Sequence, residues 1–191
     1  MDFPGILNGT ETWLDQLVQD ALKCRQTEDE QLIALYGPVY CDTAPVHVYT
    51  DGSCHNNGMS DATAASATYW GPDCRKNWAD RVPGEQSNNR AELYAILQAL
   101  KAAEPDKTLN LYSDSEYALK TIAYWAARHY LVAWDCTHGD IIKDIVLLIQ
   151  YRHAPLSLFW VKAHARNKHN IMVDFMANQA HLEQFLEMLY L

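Results

Sequence analysis

The chain has 191 residues, 49% of them hydrophobic and 20% charged, with a net charge of −9; this is enough for one globular domain plus an appendage and is the wrong sign for a generic polyanion binder. No apolar run approaches the roughly 18 residues needed to span a bilayer, so no membrane association is expected. The start, MDFPGILNGT, has neither a basic nor an apolar leader region, so an intracellular location (cytoplasm or nucleus) is expected.

The five cysteines, at positions 24, 41, 54, 74 and 136, never pair as Cys-x-x-Cys. They predict reduced thiols and support neither a zinc site nor a disulfide framework. The charge is uneven, with eight acids against two bases in residues 1–45 and sixteen against thirteen in 46–191. A helix is expected over 11–36, where Trp13, Leu14, Leu17, Val18, Ala21 and Leu22 recur at helical spacing, followed by Leu32, Ile33 and Leu35. GPVYCDTAP (37–45) reads as a connector. Three strands follow, 46–51, 63–70 and 75–82, the last two joined by a WGPD turn. The first sets Val46, Val48 and Thr50 on one face and His47, Tyr49 and Asp51 on the other. It ends at Asp51-Gly52, which taken alone is ordinary turn chemistry.

NRAELYAILQALKAA (89–103) is a helix with Leu93, Ile96, Leu97 and Leu100 on one face. TLNLYS (108–113) alternates as a strand does, and Ser113 with Glu116 forms a capping-box pattern that predicts a helix over 114–127. An amphipathic helix over 139–151, a strand over 156–163 and a terminal helix over 170–189 complete the order. That succession predicts an α/β domain over 46–191, a mixed sheet flanked by helices, preceded by an acidic helical extension over 1–45.

Four acids fall at the ends of these elements. Asp51 closes the first strand, Asp114 follows the strand 108–113, and Glu92 and Asp174 stand in the expected first turns of their helices. Singly, each has a plain structural reading as a helix starter or a complement to a helix dipole. Together they could converge at one edge of the sheet. Without a counterion they would repel strongly. Hard divalent cations with oxygen ligands resolve that repulsion, and a pair of Mg²⁺ ions suits phosphodiester cleavage.

YTDGSC, WGP, VPGEQSNNRAEL, LYSDSEYAL and VKAHARNKHNIMVDFMA stand in the order, and near the spacing, of type 1 ribonuclease H domains. Over about residues 46–182 the chain resembles that family. The resemblance implies a ribonuclease H-like fold with a five-stranded mixed sheet, and it places the family's acidic quartet on Asp51, Glu92, Asp114 and Asp174. It implies two Mg²⁺ ions, with Mn²⁺ as a substitute, one held by Asp51 and Asp174 and the other by Asp51, Glu92 and Asp114. The implied reaction is endonucleolytic cleavage of the RNA strand of RNA/DNA hybrids, leaving 5′-phosphate and 3′-hydroxyl ends. His164 matches the family's mobile histidine, which assists proton transfer or product departure. Asn57, Asn88 and Asn89 match minor-groove contacts. Asn57 and Asn89, with Glu92 and the backbone around Cys54, match positions that detect the 2′-hydroxyl distinguishing RNA from DNA. Trp125 matches an aromatic residue lying against the DNA sugar, a core position being its alternative reading.

The chain also departs from the family pattern. The segment 127–140, ARHYLVAWDCTHGD, has one Arg and no Lys where cellular members carry a basic protrusion, although Trp134 is retained. The family's DNA-phosphate pocket uses a basic residue, a Thr or Ser, and an Asn; here those positions read Glu85, Ser87 and Asp144. Two acids facing a phosphate oppose binding, which Arg166 and Lys168 offset in part. The expectation is therefore a monomer with intact chemistry and a weak hold on the hybrid, helped by a partner such as a reverse transcriptase. A non-catalytic interaction module and a nuclease for another substrate are the alternatives. A free cellular enzyme, a retroelement domain and a domesticated copy all stay open.

Overall fold

The computed structural model describes residues 27–163 and 167–189, so the stretch of the expected 11–36 helix before residue 27 lies outside the described residues. The described part is α1, Glu28–Tyr36. Thr27 caps it reciprocally with Glu30: the Thr27 hydroxyl accepts from the Glu30 amide, and the Glu30 carboxylate accepts from the Thr27 amide.

The sheet has five strands in the order β3-β2-β1-β4-β5. They are β1 (Val46–His55), β2 (Thr63–Tyr69), β3 (Trp78–Arg81), β4 (Leu109–Ser113) and β5 (Leu156–Trp160). β2 runs antiparallel to β1 and β3, whereas β1, β4 and β5 are mutually parallel. Hairpin turns join the antiparallel strands, and helical crossovers join the parallel ones, as parallel pairing requires. The crossovers are α2 (Asn88–Ala102), the stretch α3 (Glu116–Lys120) to α4 (Ala126–Leu131) with a π turn at Thr121–Trp125 between them, and α5 (Gly139–Gln150). The last helix, α6, is Lys168–Leu189. The expected mixed-sheet α/β architecture is the one observed.

The apolar stripe of α2 (Leu93, Ile96, Leu97, Leu100) packs with Val48, Leu109 and Leu111 of the sheet and with Ile141, Ile142 and Ile145 of α5. This is the main core. A smaller one lies on the opposite face, where Val173 and Ala177 of α6 cover Ala67 and Tyr69. α6 spans only the β1–β3 half, so Phe159 of the edge strand stays 41% exposed.

Several boundaries differ from expectation, those around the site for physical reasons. β1 does not end at Asp51 but continues to His55, because β2 pairs with it residue by residue from Tyr49 to His55. The cap after β4 is Ser115, whose hydroxyl accepts from the Ala118 amide; Ser113 is held inside the sheet opposite Thr50 and Trp160. The capping box expected from Ser113 and Glu116 is therefore absent, and the helix starts at Glu116 and runs on to Leu131. Glu92 and Asp174 sit in the second turns of α2 and α6, not the first, which places them beyond the reach of a favourable dipole contact.

Candidate active site

The parallel register of β1 and β4 decides the first two positions. Thr50 stands opposite Ser113, so Asp51 and Asp114 follow on adjacent strands at the same level, roughly 4.8 Å apart across the ladder. The third position depends on Gly52. A Cβ there would lie 2.3 Å from the Glu92 amide nitrogen and 2.5 Å from the Ala91 carbonyl carbon. Asp51-Gly52 is thus not a turn. Its glycine lets α2 press against the middle of a strand and brings Glu92 beside Asp51.

One oxygen from each of Asp51, Glu92 and Asp114 lies within 4.8 Å of the others. Asp174 approaches from α6 on the far side of β1, close enough to raise the pKa of the Asp51 carboxyl. Asp51 and Glu92 are buried at 5% and 6% exposure. Burial first, then the neighbouring charges of Asp114 and Asp174, pushes Asp51 up to about 8. Glu92 is raised well above the carboxylate range, by burial and then by Asp51 and Asp114. Among the described residues no ion pair neutralises any of the four acids.

Two asparagines of α6 fix the outer pair. Asn170 Nδ2 donates to Asp114 Oδ2 at 3.1 Å. Asn178 Nδ2 donates to Asp174 Oδ1 at 2.9 Å, and the Ser53 hydroxyl holds Asn178 Oδ1 in turn. The Trp160 indole N–H donates to the Asp114 carbonyl, tying β5 to the same corner. Glu92 Oε2, by contrast, is buried without a hydrogen-bond partner among the described residues. An orphaned buried carboxylate oxygen, beside two more acids and no cation, fits a hard divalent ion with oxygen ligands.

The remaining expected residues border this cluster or lie apart from it. Asn57, in the turn after β1, accepts from the Asn88 amide at 3.1 Å and so joins that turn to the start of α2. Ser87 caps α2 by accepting from the Arg90 amide, and Asn89 is exposed beside it. Cys54 is half-buried at the far end of β1. Trp125 is 39% exposed at the end of the π turn and lies outside the main core. His164 and Arg166 lie outside the described residues.

Sequence reasoning missed Arg90. Its guanidinium donates to both carboxylate oxygens of Asp140, at 3.0 and 2.6 Å, and its Nε donates to the Pro83 carbonyl. Asp140 is thus an acid of α5 that pairs with the start of α2. Its partner is fifty residues away, and no local pattern could have paired them. Asn170 and Asn178 carried a weak signal, each lying one helical turn from Asp174 on the same helix face.

The ribonuclease H family model matches residues 43–181. Ribonuclease H of Hahella chejuensis is 33% identical over 139 residues, covering 70% of this chain and 90% of that protein. Ribonuclease H1 of Mus musculus is 37% identical over 103 residues, 53% of this chain and 35% of that protein. Ribonuclease H1 of Homo sapiens is 36% identical over 126 residues, 58% of this chain and 43% of that protein. The chain thus spans less than half the length of the mammalian relatives it matches.

Proposed function

The chain belongs to the ribonuclease H family, and from that premise we propose that it hydrolyses the RNA strand of RNA/DNA hybrids endonucleolytically, leaving 5′-phosphate and 3′-hydroxyl ends. The observation that carries this reading is the convergence of Asp51, Glu92 and Asp114 around an orphaned Glu92 oxygen, with Asp174 beside them. Asp51 stands between the two halves of the cluster and would ligate both Mg²⁺ ions. Glu92 and Asp114 complete one ligand set, and Asp174 the other. When bound, the ions supply an activated water and stabilise the leaving oxygen.

The chain's own residues do the rest. Asn170 and Asn178 hold Asp114 and Asp174 in place, so the carboxylates need little reorganisation when charge arrives. His164 takes or delivers the proton at the departing product. Asn57 uses its carbonyl oxygen on the Asn88 amide, which leaves its Nδ2 donors for a 2′-hydroxyl. Asn89, Glu92 and the backbone at Cys54 flank the same strand of the hybrid. Ser87, the N-cap of α2, belongs to the DNA-phosphate pocket, Asn88 beside it contacts the minor groove, and Trp125 lies against the DNA sugar. With Arg90 held by Asp140, the protein's own hold on the duplex is weak. Residues 46–191 act as the catalytic domain and 1–45 as an extension, the whole a monomer whose affinity for hybrid a reverse transcriptase or similar partner supplements.

The test is cleavage of a uniformly labelled RNA/DNA hybrid by the full chain in Mg²⁺, Mn²⁺ or EDTA, beside RNA and DNA duplexes. Hybrid-only, metal-dependent cleavage that disappears in Asp51→Asn is expected. An inert protein that still binds Mn²⁺ would establish the non-catalytic module instead.

A further inference from the structure

Arg152 follows the C-terminus of α5 and is 6% exposed. A buried guanidinium normally sits against a carboxylate, because leaving the charge unpaired in the interior is costly. Here no ion pair includes it among the described residues. Its Nη2 donates to the Lys107 carbonyl, and its Nε has no partner among the described residues. The α5 C-terminus favours a cation, but with only about half a charge spread over several carbonyls. Burial accordingly pulls the Arg152 pKa below its ordinary value.

Arg152 lines a cavity of about 360 Å³ between α1, the connector after it, the π turn and the edge of β5. The other walls include Tyr36, Ile122, Ile149, Leu156 and Leu158. The Tyr36 hydroxyl donates to the Ile122 carbonyl at 2.7 Å, so it is already satisfied. None of the four active-site acids lines this space. What remains is an apolar chamber with one uncompensated cation, near the lower end of the size range of small-molecule sites.

The geometry points to a binding site for a small amphipathic carboxylate, its acid group on the unused donors of Arg152 and its apolar body against Ile149, Leu156 and Leu158. A charge-assisted pair with a planar carboxylate matches the guanidinium fork. An inorganic phosphate would leave its remaining oxygens facing apolar walls, and a neutral hydrocarbon would leave the guanidinium unpaired.

The full chain is titrated with decanoate below its micellar concentration, with decan-1-ol and with acetate, by calorimetry and by the methyl shifts of Ile122, Ile149 and Leu156. Decanoate should bind at least tenfold more tightly than decan-1-ol, acetate should not bind measurably, and the shifts should concentrate on those methyls. Arg152→Met keeps an apolar unbranched stem without the guanidinium, so it should erase the preference for decanoate over decan-1-ol. Should that variant fail to fold, Ala123→Trp, which fills the cavity while leaving Arg152 in place, should abolish decanoate binding. Equal affinity for acid and alcohol, decanoate binding untouched by either folded variant, or shifts confined to other regions would each overturn the site.

Discussion

At the residue scale, Asp51 is where the fold works against itself. Its carboxyl titrates near 8 in the folded chain because burial, Asp114 and Asp174 all disfavour its charge, whereas in the unfolded chain it titrates at about 3.9. Between those values the native state holds a proton that the unfolded state has released. The stabilisation is therefore complete below about pH 4 and is lost as the pH rises through about 8. Glu92, also raised, adds in the same direction. His181 works in the opposite sense: burial and then His55 lower its pKa to about 4, so its contribution is lost as the pH falls below about 6.5. A scan from pH 6.5 to 9 in EDTA consequently isolates the acids. The melting temperature should fall across that range and recover on adding Mg²⁺. Asp51→Asn should flatten the slope, melt higher than the unmodified chain at pH 8 without metal, and lose hybrid cleavage by about a thousandfold or more. An unchanged slope in Asp51→Asn would place the strain elsewhere.

At the element scale, the contact between β1 and α2 carries the most consequence. Gly52→Ala would force a methyl against backbone atoms of Ala91 and Glu92, which cannot swing aside as a side chain can. α2 must retreat, taking Glu92 away from Asp51. The expected result is a stability loss of about 1–3 kcal/mol, read from denaturant melts, together with a fall in cleavage larger than that of a surface Gly→Ala control. A fully active, equally stable Gly52→Ala would mean that the helix does not need to come so close. This glycine also marks the limit of what the sequence disclosed. Apolar periodicity made the order of strands and helices readable, since Leu93, Ile96, Leu97 and Leu100 could face only a core. Asp51-Gly52 resembled a turn because a glycine needed for close packing looks the same in a sequence as one needed for positive φ. Ser113 and Ser115 both offered a hydroxyl near the same helix start, and only the pairing of Ser113 with Thr50 and Trp160 passed the cap to Ser115. The four acids were legible as a set, while the asparagines that hold two of them were not.

At the scale of the whole molecule, a net charge of −9 opposes the polyanion that the proposed reaction requires the chain to hold. The start of α2 faces the start of α5, and there Arg90 is closed into a two-pronged pair with Asp140, while the Glu85 carboxylate lies 3.9 Å from His138 Nδ1. The Asp140 side chain is 63% exposed against 12% for Arg90. Most of the pair's worth is therefore screened, and it contributes at most about 1 kcal/mol to stability. Its effect on binding is larger, because a cation already matched by a carboxylate releases no counterion when a phosphate arrives. Hybrid affinity should be low and its salt dependence shallow. Asp140→Asn releases Arg90, and Glu85→Arg adds a second cation beside it; the double variant should lower KM and steepen the slope of log affinity against log salt by about 1 for each new phosphate contact. The rate at saturating hybrid should change far less than KM, since neither side chain belongs to the carboxylate cluster. Steady-state kinetics at several salt concentrations, with Asp144→Asn in parallel, separate the outcomes. An effect of Asp144→Asn matching that of Asp140→Asn would mean that bulk charge, and not the pairing of Arg90, limits the grip. An unchanged KM and salt slope in the double variant would mean that this corner of the molecule never meets the duplex.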